Sequence, residues 1–269
     1  VAVSRIMSRN ARFQQLQTLL SNRTKRGRAK EFLVQGVRPI TMAVERGWTV
    51  RAVLHDAQRP LSRWADDLLR GLDTERVAMA SELLAELSEK VDGAAEIVAV
   101  VAMPSDDLAR IPVDDTFLGL VFDRPTQPGN IGAVVRSADA FGADGLVVTG
   151  HAADPYDPKA VRASTGSLFA LPVVRTPSHR EVVEWLAGRA TIVGTDELGD
   201  TDLAGFDLTG PVLLLIGNET AGLSAGWREA CDVMVSIPMT GSASSLNASN
   251  AATVALYEAR RQRLGSSAR

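Results

Sequence analysis

The 269-residue sequence contains one cysteine, Cys231. An internal disulfide framework is therefore excluded, and a cysteine-based metal site is not expected. No apolar run approaches the ~20 residues that a membrane-spanning helix needs. The longest runs, Ile97 to Met103 and Pro211 to Ile216, are strand-sized. Arg5, Arg9 and Arg12 are not followed by an apolar core, so no signal peptide is read, and a cytoplasmic protein is expected. The three histidines, His55, His151 and His179, are scattered and suggest neither a metal centre nor a catalytic triad. There is no G-x-G-x-x-G followed by an acid ~20 residues on, and no phosphate-binding G-x-x-x-x-G-K-[ST]. Ordinary dinucleotide and P-loop chemistry are thus not supported. Aromatic residues make up 5% of the chain, which leaves little for base stacking.

What is present suits a layered α/β protein. Hydrophobic residues reach 45% and charged residues 23%, enough for a sizeable core in a chain long enough for two domains. Apolar strand-like runs alternate with helical spacing. In the first half the expected strands are "FLVQG", "TVRAVLHD", "RVAMA" and "AEIVAVVAMP". "RFQQLQTLLSN", "PITMAVERG", "RWADDLLRGL" and "SELLAELSE" read as helices, and "TKRGRAK" as a polar loop. Prolines and acids between Met103 and Asp115 interrupt the series, giving an expected division into 1–106 and 107–269. A second series follows in "TFLGLVFD", "GLVVTG", "LPVVRT", "ATIVGTD", "PVLLLIG" and "VMVSIP". The chain closes on a long helix and a frayed "GSSAR" tail.

Charge is unevenly spread. Between Arg5 and Arg38 there are nine cations and one acid, Glu31, in a chain whose net charge is −3. Such asymmetry points to one face built for a polyanion. The candidate contacts are Arg23, Lys25, Arg26, Arg28 and Lys30.

Three segments of the second half share one layout, an apolar strand, a polar or glycine turn, then a helix. They are "VFDRPTQPGNIGAVVR", "LLLIGNETAGLS" and "VSIPMTGSASSLNASNAA". In parallel α/β sheets ligands sit at the carboxyl ends of strands, where such turns lie. In order and spacing, "NIGAVVR" (Asn130 to Arg136), "LLIGNETAGL" and "IPMTGSASSLNAS" (Ile237 to Ser249) resemble the three signature motifs of the SpoU/TrmH family of the SPOUT superfamily. The resemblance covers roughly Thr116 to Arg263. "FLVQG" is similar to a stretch of the small RNA-binding extension found on rRNA-directed members, with Gln35 where they often have glutamate.

The resemblance implies a C-terminal SPOUT domain with a mostly parallel sheet and a deep trefoil knot, preceded by a smaller N-terminal α/β RNA-binding domain. It implies S-adenosylmethionine-dependent methyl transfer to a ribose 2′-hydroxyl of RNA, with large-subunit 23S rRNA favoured. A role in antibiotic resistance, a homodimer, and no metal or membrane partner are also implied. The alternatives are a tRNA 2′-O-methyltransferase and a non-catalytic RNA-binding or ribosome-assembly factor. The residues carried over as catalytic are Arg136, Asn130, Glu219, Ser245 and Asn247. Those for the methyl donor are Thr195, Ile216, Gly217, Ile237, Met239, Leu246 and Asn247. Arginine stays protonated in proteins and is a poor base, so Arg136 reads as a clamp on an RNA phosphate, with the RNA phosphate itself or transiently Arg136 taking the proton. Asn130 is expected in the turn before its helix, as a cap, and Glu219 as the partner of an arginine.

Overall fold

The computed structural model describes residues 3–88 and 95–266. The chain forms two compact units. One runs to Pro104 and also takes in Tyr156–Phe169; the other holds Ser105–Pro155 and the chain from Ala170 onward. The excursion at 156–169 means that the units do not divide the sequence at a single point.

The first unit contains β1 (Val3–Ile6), α1 (Ala11–Ser21), α2 (Arg23–Ala29), β2 (Glu31–Gln35), α3 (Val37–Glu45), β3 (Val50–Asp56), α4 (Arg63–Gly71), β4 (Glu75–Met79), α5 (Ser81–Ser88) and β5 (Ile97–Ala102). Its sheet has the order β1-β4-β3-β5-β2. β1, β4 and β3 run parallel, and β5 lies antiparallel to both β3 and β2. Phe13, Leu16 and Leu19 repeat at three-residue spacing and bury one side of α1. The short edge strand β1 was not anticipated; charged and polar residues hide its pattern, and Ile6 carries its burial.

The basic segment "TKRGRAK" is not a loop: Thr24 to Ala29 lie in α2, and Lys30 ends the helix in a left-handed conformation. The Asn22 side chain caps α2 by accepting from the Lys25 N–H at 3.0 Å. Arg26 turns inward, 2% exposed. Its guanidinium donates to the Leu19 and Leu20 carbonyls at 2.9 and 2.8 Å, near the end of α1, where helical carbonyls lack partners. It also meets Asp157 at 3.4 Å.

The rest of the chain supplies β6 (Leu118–Asp123), α6 (Pro128–Ala140), β7 (Gly145–Thr149), α7 (Pro158–Ser164), β8 (Val173–Thr176), α8 (His179–Leu186), β9 (Thr191–Thr195), β10 (Thr201–Asp202), β11 (Val212–Ile216), α9 (Ala225–Ala230), β12 (Val233–Ser236) and α10 (Ala248–Ser266). Of these, α7 belongs to the first unit. The strands form a seven-stranded sheet, β10-β12-β9-β11-β6-β7-β8, in which every pair is parallel. β6, β7 and β11 are buried along their full length, as strands covered on both faces must be. Two-residue β10 was too short to register in the sequence. Gly265 and Ser266 complete α10 instead of starting a tail; the remainder of that expected tail, 267–269, lies outside the described residues.

Parallel strands put all their carboxyl ends along one edge. The chain starts this sheet at β6, builds outward through β7 to β8, and then returns to β9 on the other side of β11. Loops diverge at such a reversal and leave a crevice.

Candidate active site

Three loops at that edge are tied together by side chains. At the end of β6, Asp123 is 2% exposed. It accepts from the Thr149 hydroxyl at 3.0 Å, the Ser224 N–H at 2.8 Å and the Arg124 guanidinium at 3.1 Å. Arg124 adopts a left-handed backbone, with φ at 52°, and its side chain also donates to the Gly222 carbonyl at 3.0 Å. The loop after β6 is thereby fixed to the loop after β11.

The second loop folds on Asn218. Asn218 and Gly222 exchange backbone hydrogen bonds, each of 3.0 Å. The Asn218 side chain accepts from the Thr220 and Ala221 N–H groups at 2.9 Å and donates to the Arg124 carbonyl at 2.6 Å. Gly217 is required by close approach. A Cβ there would lie 2.5 Å from the Gly222 carbonyl carbon and 2.6 Å from the Leu223 nitrogen.

Glu219 projects from this turn to the start of α6. It accepts from the Thr126 N–H at 3.0 Å, the Thr126 hydroxyl at 3.1 Å, the Gln127 N–H at 3.3 Å and the Asn130 amide at 2.9 Å. Burial pushes its pKa up. Hydrogen bonds from Thr126, Asn130 and Gln127 outweigh that and bring it below the ordinary carboxylate value. A carboxylate at a helix N-terminus also opposes the positive end of the helix dipole. Two expectations are corrected at this point. Glu219 holds a turn and a helix start, not an arginine. Asn130 lies in the first turn of α6, not before it, and spends its amide on Glu219.

The third loop leads to α10. The Asn247 side chain accepts from the Ser249 N–H at 2.9 Å, and its amide reaches the Asn130 Oδ1 at 3.4 Å. Asn247, Asn130 and Glu219 thus form one chain across the three motif segments. Arg136 sits farther along α6, exposed, and makes no hydrogen bond or ion pair with any described residue. α10 packs along α6, with the Ser137 and Thr253 hydroxyls 2.7 Å apart.

A cavity of about 640 Å³ opens between the loops after β9, β11 and β12. Thr195, Ile216, Gly217, Glu219, Ile237, Met239, Ser245 and Leu246 all line it. Asn247 does not; it stands beside the cavity through its link to Asn130. Sequence reasoning missed Arg228, which also lines the cavity and pairs at 2.5 Å with Asp196, another lining residue. It missed Asp123, Arg124 and Asn218 as well, whose partners are brought close only by the fold. In the first unit Arg23, Lys25, Arg28 and Lys30 are exposed. Arg26 is corrected from the RNA-contact set, because its buried guanidinium is committed to α1 and Asp157. Among the described residues no group of three or more His, Cys, Asp or Glu side chains could hold a metal, and no helix is long and apolar enough to cross a membrane.

Residues 118–257 match the SpoU rRNA Methylase family, and residues 10–99 match the SpoU L30e-like domain. A 23S rRNA (uridine(2479)-2′-O)-methyltransferase of Streptomyces viridochromogenes is 65% identical over 98% of this chain and 94% of its own length. The crystal structure of the SpoU methyltransferase AviRb from the same organism, in complex with AdoMet, superposes with a TM-score of 0.92 at 65% identity, covering 95% of this chain and 99% of that one. An AdoMet-bound rRNA methyltransferase from Sinorhizobium meliloti matches at a TM-score of 0.88 and 25% identity, over 96% and 98% of the two chains.

Proposed function

The chain belongs to the SpoU rRNA methylase family, and from that premise we propose that it transfers a methyl group from S-adenosylmethionine to the ribose 2′-hydroxyl of a uridine in 23S rRNA. The observation that carries this reading is the cavity, lined by the second and third motif segments with the first tied to them through Asn130, in a chain so close to an enzyme of that activity.

The cavity suits the donor. Its volume falls within the range of small-molecule sites. Ile216, Ile237 and Leu246 offer an apolar slot for adenine, and the Asp196 and Glu219 carboxylates give its polar rim negative charge. When bound, S-adenosylmethionine supplies an electrophilic methyl carbon on a sulfonium. Thr195, Gly217 and Met239 complete the wall that holds it.

The remaining work belongs to the protein and the RNA. Arg136 cannot serve as a neutral base near pH 7, but its planar fork suits a phosphate. It clamps the target nucleotide so that the 2′-oxygen is presented in attack geometry, and the RNA phosphate takes the proton. Asn130, Glu219 and Asn247 hold the start of α6 in place. Ser245 offers a hydroxyl at the cavity wall. The N-terminal unit grips RNA through the exposed Arg23, Lys25, Arg28 and Lys30.

A homodimer fits the same reading. Val254 and Tyr257 on α10 are 38% and 56% exposed, and Tyr257 packs edge-on against Phe141 at the end of α6. A second copy placed there would cover an apolar face close to Arg136. The trefoil knot is carried by the family resemblance alone.

Incubation with methyl-labelled donor and separate pools of 23S rRNA and tRNA, followed by mapping of the labelled ribose, tests the activity. Label at one 23S uridine is the expected result. Label in tRNA only would replace the substrate, and label in neither would leave a non-catalytic RNA-binding factor.

A further inference from the structure

Among the described residues four non-glycine positions have a left-handed backbone, Lys30, Arg124, Thr165 and Ala187. Lys30, Thr165 and Ala187 each end a helix, where that conformation is ordinary. Arg124 does not. It follows β6 with φ at 52°, a conformation that a Cβ disfavours and that glycine or asparagine adopts far more readily. A residue held against its own preference is over-determined by its surroundings, and such residues gather at functional sites.

The surroundings hold Arg124 through both backbone and side chain. Its N–H donates to the Thr149 carbonyl at 2.9 Å, and its carbonyl accepts from the Asn218 amide at 2.6 Å. Its Nε donates to Asp123 at 3.1 Å and its Nη2 to the Gly222 carbonyl at 3.0 Å. Gly150 leaves room for the stem, since a Cβ there would lie 2.7 Å from the Arg124 Cγ. Asn218 and Gly222 are the paired ends of the turn after β11. Arg124 therefore grips one end of that turn with its carbonyl and the other with its guanidinium. Residues 217–222 all line the cavity, and Arg124 stands behind them. The backbone contacts are open to any residue, and the conformation favours glycine or asparagine. The two guanidinium bonds are what arginine adds.

We propose that Arg124 is a positioning residue for the methyl donor, setting one wall of the cavity by fixing the Gly222 end of the turn. This rests on the reading that the cavity takes S-adenosylmethionine. It adds the side chain through which the loop after β6, which leads into α6, controls that wall. Asp123 does not depend on the arginine. Its two oxygens keep the Thr149 hydroxyl and the Ser224 N–H, at 3.0 and 2.8 Å. Loss of the guanidinium leaves neither oxygen without a donor, so the fold is expected to stand.

The test uses the full-length protein, S-adenosylmethionine and a 23S rRNA transcript. Arg124→Asn accepts the left-handed backbone but is too short to reach Gly222. Calorimetry is expected to show donor affinity about tenfold weaker, with the melting temperature in the absence of donor unchanged. In methyl transfer the KM for the donor rises by a similar factor, while kcat at saturating donor and the KM for RNA stay within about twofold. Arg124→Lys keeps a cation beside Asp123 but lacks the planar fork that serves two acceptors at once, so its donor affinity is expected to fall about threefold. If Arg124→Asn melts early, Arg124→Lys is read in its place. Unchanged donor affinity in the variant that is read overturns the proposal, and so does a joint fall of affinity, kcat and melting temperature in both variants. Wild-type protein that binds no S-adenosylmethionine brings down the underlying reading. Wild-type binding with no variant effect leaves that reading standing and removes Arg124 alone.

Discussion

The Arg228 guanidinium meets the Asp196 carboxylate at 2.5 Å, and through that pair one helix holds two walls of the cavity proposed for the donor. Asp196 follows β9. Arg228 on α9 also donates to the Leu223 carbonyl, at 3.2 Å, in the loop after β11. The arginine side chain is 48% exposed, so the pair contributes little to global stability, about 0–1 kcal/mol. Its effect is local. Arg228→Met is expected to weaken S-adenosylmethionine binding roughly tenfold, about 1.4 kcal/mol, with a nearly unchanged melting temperature. Calorimetry and a thermal melt on the same preparation separate the two quantities; an unaltered donor affinity would dismiss the clamp.

Arg136 has no described partner to lose, so its removal leaves the protein's own contacts intact. Arg136→Ala is expected to lower methyl transfer by on the order of 100-fold or more, through lost positioning of the ribose. Donor affinity is expected to hold, because the cavity wall is made by other residues. Parallel loss of donor binding in a titration would show that the division of roles is wrong.

At Gly217 the nearest obstacles are backbone atoms of a turn locked by the Asn218–Gly222 pair. They cannot step aside as a side-chain tip would. Gly217→Ala is expected to destabilise the protein by about 1–3 kcal/mol, the range for overpacking, and to abolish donor binding. Denaturant unfolding, with and without donor, measures both. A variant stabilised by donor as strongly as the wild type would refute the steric argument.

Glu219 gives a pH signature. Its lowered pKa means that folding favours the ionised carboxylate. The resulting stabilisation is complete above the ordinary value of 4.5 and disappears as pH falls through the lower, folded value. Glu219→Gln is therefore expected to melt below the wild type at neutral pH, with the gap closing as the solution is taken below 4.5. A gap that is constant across this window would assign the loss to hydrogen-bond geometry instead of charge.

Much of the architecture was legible because parallel strands buried on both faces are continuous apolar runs. "LGLVFD" and "VLLLI" could scarcely be anything else. The cavity wall was legible for a different reason, the motif resemblance. Failures came where a residue's partner is distant in sequence. Arg26 reads as one cation among five, and its inward turn depends on carbonyls of the preceding helix and on Asp157, 131 residues later. Gly27 and the run of charges suggested a loop, while the quieter signal, Asn22 as a cap, was overlooked. Asn218 looked like a spacer in "GNET", yet its side chain makes three hydrogen bonds that shape the turn.

The excursion from Tyr156 to Phe169 sets an order on synthesis. Phe32 packs 4.9 Å from Tyr156 and 6.3 Å from Phe169, ring centre to ring centre. The Trp48 indole donates to the Phe169 carbonyl at 3.1 Å. A nascent chain that has emerged only as far as Pro104 would hold Phe32 and Trp48 without the rings that cover them. The N-terminal unit can close only after the ribosome has built β6 to α7 and moved past Phe169. During that interval its aromatic face is open to chaperones, to proteases and to other nascent chains. A gene fragment cut at Pro104 would make that interval permanent.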